Sequence, residues 1–370
     1  MERDQIIQDC LAYARESGYR AQINAQTSRG FGRSYKSLTG ETLSEGSSES
    51  SLTLTLELAG RKCSRHYPIT PTLDPKKMID ELVPLLVFAT ADPAESLPIV
   101  TGNLTEDTSK FSYAEIQSWV QSTYDTASHA LSTNIAGLKI ENLGVSASIG
   151  TRIFASTDGA YKVHSSSGSS LYMGYSGRVA EVGEVEWMSR SEPHLIPWQP
   201  SYEQELRERV VLKLAHKPAT FKSSMYSTAL EPELTAELLG ELLGLLSGYA
   251  IAEKLTPFTL GDIGSKILPE WVDLSSLPTG SGLSAAKFFD GNGITTLPLT
   301  IAQKGVLTDI FLSKAAADRL GMTPNGHPGP INIVWQSSLT RDSLAGVPLL
   351  LTGLSGLHTM DSSTGNFTLE

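Results

Sequence analysis

Seven histidines, two cysteines and 40 carboxylates are the groups of this 370-residue chain that could hold a metal or activate water. The histidines are scattered: His66, His129, His164, His194, His216, His327 and His358. None has another histidine three to five residues on, and none neighbours a cysteine, so there is no local zinc motif. Gly-x-Ser-x-Gly is absent, which removes the nucleophile elbow. Sequence order leaves open a Ser–His–Asp triad drawn from distant positions. Gly280 to Ala285 fits Gly-x-Gly-x-x-Ala in form, yet it follows Leu277-Pro278-Thr279 rather than an apolar strand and reads as a turn. Glu237 and Glu241, four apart, share one face of an apolar helix. Residue chemistry alone names no enzyme.

The elements that must position these groups are legible in part. Ile6, Ile7, Cys10, Leu11 and Ala14 mark one helical face, with Gly18 as the stop. On that face Cys10 is a packing residue. Leu52, Leu54, Leu56 and Leu58 alternate along a strand; Ala59–Lys62 turns, and Cys63–Tyr67 returns. The Ser-, Gly- and Glu-rich stretch 36–50 reads as an exposed loop or a long hairpin tip. Asp74-Pro75 starts a helix that Pro84 should kink. Ser112 with Glu115 forms a capping box, and Asp158-Gly159 is a hairpin turn between strands in an otherwise strand-rich stretch, 140–187. Pro197-Trp198-Gln199-Pro200 reads as a linker before a helix striped by Tyr202, Leu206, Val210 and Leu214. A strand from Met225 to Leu230 precedes a helix from Glu233 to about Tyr249, whose leucines almost encircle it and predict burial at a domain centre. Gly-rich turns and short strands follow, with one helix from Leu312 to Leu320 stopped by Gly321.

Composition sets the outer bounds. Length implies two domains, and 40% hydrophobic with 19% charged residues is that of a folded chain. A net charge of -11 without a basic block argues against nucleic acid or an anionic membrane as partner. Met1 to Gln5 shows no apolar run behind a basic head, and two cysteines build no disulfide framework; both fit a cytoplasmic setting. The pattern predicts an α+β protein with largely antiparallel sheets. Its N-terminal domain spans 1–219, with sub-regions near 1–100 and 110–219, and its β-rich C-terminal domain spans 220–370 around the buried helix.

From that helix onward the order of landmarks resembles the TldD/PmbA family, the modulator-of-gyrase proteins. The stretches that carry it are LEPELTAELLGELLGLLSGYA (230–250), SKILPEWVDL (265–274) and FFDGNGITTLPLTIAQKGVLTDIFLSKAAADRLGM (288–322). NLGVSASIGTRIFASTDGAYKV (142–163) and GLSGLHTMDSSTGNFTLE (353–370) are similar to the family's middle strand pair and late Gly-rich segment. Family members usually continue past that last segment, so the resemblance implies either a shortened member or a C-terminal sheet whose missing strands come from elsewhere.

One branch of the family carries His-Glu-x-x-x-His on this helix, where two histidines bind zinc and the glutamate takes a proton from metal-bound water. Its first histidine falls here at Gly240, its glutamate at Glu241 and its second histidine at Leu245. No cysteine follows Cys63, so the late sulfur ligand of that branch is missing too. The resemblance therefore implies the PmbA/TldE-like branch. It would be a non-catalytic cytosolic subunit with no cofactor of its own, the zinc being expected only in a TldD-type partner. As a heterodimer with that partner, or a homodimer, it would serve cleavage of unfolded peptides, in leader-peptide processing, peptide maturation or degradation of small unstable proteins. Gly280, Gly282, Gly291, Gly293, Gly326 and His327 are the expected lining of a peptide groove. The competing readings are a peptide-binding scaffold homodimer without a protease partner and a hydrolase with a non-metal site.

Overall fold

A computed structural model describes residues 3–131, 138–179, 182–215, 222, 224–280, 283, 286–337, 346–347 and 349–351. The chain opens with helix α1 (Arg3–Glu16), which buries Ile6, Ile7, Cys10, Leu11 and Ala14, as the spacing predicts. Burial pushes the Cys10 thiol up to about 12, so it is a packing group and no nucleophile. Strand β1 (Arg20–Lys36) then pairs along its whole length with β2 (Glu41–Leu58), and β3 (Arg61–Pro68) returns along Ser51–Leu58. The 36–50 stretch is thus the distal half of a long hairpin and not a loop. Leu52, Leu54 and Leu56 are buried, while Leu58, at the strand end, is 48% exposed.

Helix α2 (Pro75–Leu86) starts at Asp74, whose carboxylate accepts from the amides of Lys76 and Lys77. Pro84 lies inside its last turn, and the helix continues past it to Leu86. Strand β4 (Asn103–Asp107) precedes α3 (Tyr113–Leu131), capped by Ser112 and Glu115. Strands β5 (Leu138–Ser156) and β6 (Tyr161–Val179) form the second long hairpin, turning at Asp158-Gly159, and β7 (Val182–Glu192) pairs with β6. Helix α4 (Pro200–Ala215) buries Leu206 and Val210. The stretch read as a linker before it is a packed connection: Ile196 is buried, its carbonyl accepts from the Trp119 indole at 3.0 Å, and Trp198 packs into the same core.

These strands make one seven-stranded sheet in the order β3-β2-β1-β5-β6-β4, with β7 also on β6, antiparallel except for β4 beside β6. All four helices cover one face. Helices α1 and α2 bury Ala21, Ile23, Leu54 and Ile153 at one end, and α3 and α4 bury Val145, Leu171, Met173 and Tyr175 at the other. The opposite face carries the even-numbered residues of β1, β5 and β6, because side chains alternate along a strand.

The second half begins with β8 (Thr228–Leu230) and helix α5 (Pro232–Leu245), then a short α6 (Gly248–Ala252). Strands β9 (Val272–Ser276), β10 (Leu299–Gln303), β11 (Val306–Leu307) and β12 (Ile333–Ser337) form an antiparallel sheet ordered β11-β10-β9-β12. Helix α7 (Lys314–Leu320) is capped by Ser313 and closed by Gly321 in the left-handed region, and β13 (Leu349–Leu351) pairs parallel with β8. The α+β class with largely antiparallel sheets holds. The central helix does not: it stops at Leu245, and only Leu234, Leu243 and Leu245 along it are buried. Leu238, Leu239 and Leu242 are half-buried, and Gly240 is exposed. An all-round apolar helix needs cover on every side; among the described residues the core formed by β9, β10 and α7 covers the side bearing Leu239 and Leu243.

Candidate functional site

The positions that the resemblance assigns to zinc, Gly240, Glu241 and Leu245, fall on α5. Gly240 has no side chain and open space where a Cβ would sit, and Leu245 is a buried hydrocarbon. Glu241 is a single half-exposed carboxylate. Among the described residues no three histidine, cysteine, aspartate or glutamate side chains converge as a metal site would require. This donor set does not fit catalytic zinc.

Of the expected groove residues, Gly293, Gly326 and His327 are placed for packing. Gly291 donates no side chain to anything; its carbonyl accepts from the Asn24 amide at 2.8 Å. Gly293 has φ +74° and lies under the Phe154 ring, where a Cβ would stand 2.2 Å from a ring carbon. Gly326, φ +73°, abuts the Thr295 carbonyl. His327 is fully buried, with Nε2 2.6 Å from the Leu297 carbonyl and Nδ1 3.2 Å from the Ser276 hydroxyl. Gly280 is exposed, and Gly282 lies outside the described residues. Gly291 and Gly293 therefore meet the N-terminal sheet, whereas Gly326 and His327 sit inside the second half.

What Gly291 and Gly293 reach is a buried charged junction on the helix-free face of the large sheet. Phe154 and Phe289 form its apolar floor. Lys162, from β6, donates to the Gly293 carbonyl at 2.7 Å and the Thr295 hydroxyl at 3.1 Å. Arg152, beside it on β5, donates to the Phe289 carbonyl at 3.4 Å. Asp290, 1% exposed, accepts from the amides of Asn292 and Ile294, and burial outweighs the nearby Arg152 and Lys287 to raise its pKa. Burial lowers the pKa values of Lys162 and Lys287. Each of these charges is tied to a backbone group or faces an opposite charge. The junction is built to join the two halves.

Beyond the junction the same face opens. Register places Ser28, Gly30, Gly32 and Ser34 of β1 beside Gly150, Ser148, Ser146 and Gly144 of β5, and these beside Ser166, Gly168, Ser170 and Tyr172 of β6. The result is a trough of about 620 Å³ floored by hydroxyls and bare backbone. Tyr172 closes one end, its ring stacked on Trp187 at 5.5 Å, and Trp187 lies flat over Gly174. A floor without long side chains leaves room for an extended chain and offers it hydrogen bonds. The small residues share even numbers in three strands, and that parity is the signal by which the sequence could have shown the floor.

The floor carries no catalytic dyad. His164 Nε2 meets the Thr108 hydroxyl at 3.0 Å, but that hydroxyl donates to the Ser165 carbonyl. Ser276 beside His327 likewise donates to the Ile331 carbonyl at 2.7 Å, in the core. A hydroxyl that gives its proton to a carbonyl is not activated by its imidazole. The non-metal hydrolase reading finds no support in these pairs.

Residues 223–370 match the model of the PmbA/TldA metallopeptidase C-terminal domain. The chain is similar to the metalloprotease PmbA homolog of Haemophilus influenzae, 30% identical over 117 residues that cover 30% of this chain and 26% of that protein. It is also similar to metalloprotease PmbA of Escherichia coli O157:H7, 33% identical over 87 residues, covering 24% and 19%. The matched stretches thus span about a quarter or less of these relatives. Among solved structures, a modulator of DNA gyrase from Bacteroides thetaiotaomicron aligns with a TM-score of 0.79 at 22% identity, over 99% of this chain and 85% of that one. A second from Thermotoga maritima gives 0.82 at 15%, over 100% and 86%. TldE from Thermococcus kodakarensis gives 0.78 at 16%, over 95% and 83%.

Proposed function

The chain belongs to the TldD/PmbA family, and from that premise we propose that it is the non-catalytic, PmbA/TldE-like subunit of a cytoplasmic peptidase. The observation that carries this reading is the pair Gly240 and Leu245 at the positions of the family's zinc histidines. With two ligands replaced, Glu241 has no metal-bound water to deprotonate. Chemistry then comes from a TldD-type partner that holds the zinc, and this chain contributes the wall along which an unfolded peptide lies.

Two features support the division of labour. The trough supplies hydroxyls and open backbone along its floor, with Glu45 and Glu192 among the residues that line it. Helix α5 leaves Ala236, Gly240 and Gly244 exposed in one row beside half-buried leucines, a surface that lets a second chain approach closely. Among the described residues no helix is long and apolar enough to cross a membrane.

The test is metal analysis of the purified chain joined to a peptidase assay with and without a TldD-type subunit. We expect no stoichiometric zinc, no cleavage by the chain alone, and cleavage on mixing. Stoichiometric zinc together with chelator-sensitive cleavage by the isolated chain would overturn the proposal. Release of peptide unchanged, with no gain on mixing, would favour the scaffold homodimer.

A further inference from the structure

The large sheet has a long unpaired edge. Strand β3 covers β2 only from Ser51 to Leu58, and Ile69 closes onto the Ser50 carbonyl. From Glu41 to Glu49 every residue is exposed, and among the described residues no strand pairs with the outer side of this segment. Nine residues present about 30 Å of free amide and carbonyl groups. Natural edges of this kind are shortened, bulged, broken by proline, charged or covered. Here the register with β1 runs from Lys36↔Glu41 to Arg20↔Glu57 without a shift, and the segment contains no proline.

Charge decides what such an edge accepts. Alternation puts Glu41, Leu43, Glu45, Ser47 and Glu49 on one side, the side that looks over the trough, since Glu45 pairs with Gly32 and Ser47 with Gly30. The other side bears Thr42, Ser44, Gly46 and Ser48. A second copy joining antiparallel about Glu45 would set Glu41 against Glu49 and Glu45 against itself. Like charges directly opposite are repelled. Acidic strands are refused for the same reason, whereas a strand with lysine or arginine at every fourth residue meets a carboxylate each time.

We propose that Glu41–Glu49 of β2 is a strand-addition site for extended, basic peptide segments, with Glu41, Glu45 and Glu49 selecting the cationic side chains. The inference rests on the reading of this chain as a peptide binder and adds which edge takes the peptide and which sequences it favours. Bound there, the segment extends the seven-stranded sheet by one strand and lies along the rim of the trough.

The experiment uses the full chain and two fluorescein-labelled peptides of about twelve residues, alike except for lysine or glutamate at every fourth position. Anisotropy reads affinity, and hydrogen exchange locates the contact. We expect the lysine peptide to bind about tenfold more tightly than the glutamate peptide at low salt, with exchange slowed in 41–49. Triple replacement Glu41→Lys, Glu45→Lys and Glu49→Lys should invert that preference, and the inverted binding itself reports a folded edge. Binding with protection elsewhere, or a preference unchanged by the reversal, overturns the edge site and leaves peptide binding intact. Concentration-dependent protection of 41–49 without peptide assigns the edge to a second copy and overturns it too. Failure of both peptides to bind overturns this inference together with the reading beneath it.

Discussion

His164 and His327 show how burial sets the behaviour of single side chains in this protein. Both have pKa values below the ordinary 6.5, chiefly through desolvation, with Arg152 adding repulsion at His164. In the pH range between the lowered folded values and 6.5 the unfolded chain binds more protons than the folded one. Stability therefore rises with pH there: it is complete above 6.5 and is lost as pH falls through the folded values. Asp290 has the opposite sign, since its folded pKa is raised above 3.8 and its charge destabilises the fold as pH increases. Urea midpoints measured from about pH 7 down to about pH 5 should fall, and His164→Gln should flatten part of that slope. A midpoint that climbs on acidification would contradict the assignment and point to Asp290.

At the scale of elements, those with local signals behave as local signals dictate. The Asp74 carboxylate accepts from the Lys76 amide at 2.9 Å, so Asp74→Ala should cost about 1 kcal/mol. Gly321, φ +67°, closes α7, and Gly321→Ala should cost about 1 kcal/mol as well. Thermal or urea unfolding of the two variants checks both, and a double variant should lose the sum, because the caps share no contact. Helix α5 is the element that local reasoning misplaces. Its leucine content is a property of the segment, whereas burial depends on what packs against it; among the described residues it is the side bearing Leu243 that reaches the core of the second half.

The whole molecule is held together where the two halves meet. The Phe154 ring packs against Gly293, Lys162 donates to the Gly293 carbonyl, and at a second point Arg319 of α7 pairs with Asp92 at 2.9 Å. Gly293→Ala combines a left-handed backbone with a Cβ driven into the Phe154 ring. It should cost about 2–4 kcal/mol and speed proteolysis between the halves. Gly291→Ala, two residues away with open space for its Cβ, is the matched control and should change little. Equal losses at both positions would show that the junction tolerates no change rather than that it needs this contact.

The sequence by itself determined the local elements: the helix caps, the leucine alternation of β2, the Asp158-Gly159 turn and the stop at Gly321. Each is set by residues within a few positions of one another. It also determined that Gly240 and Leu245 cannot bind zinc, because that is a matter of side-chain chemistry. Only the tertiary structure decided what the glycines of 291–293 are for, since their partners Asn24, Phe154 and Lys162 lie more than a hundred residues away. The same holds for the trough and the free edge of β2. Parity along β1, β5 and β6 becomes a shared floor only when register sets the strands side by side. An edge exists only where a neighbouring strand ends, as β3 ends here at Pro68 opposite Ser51.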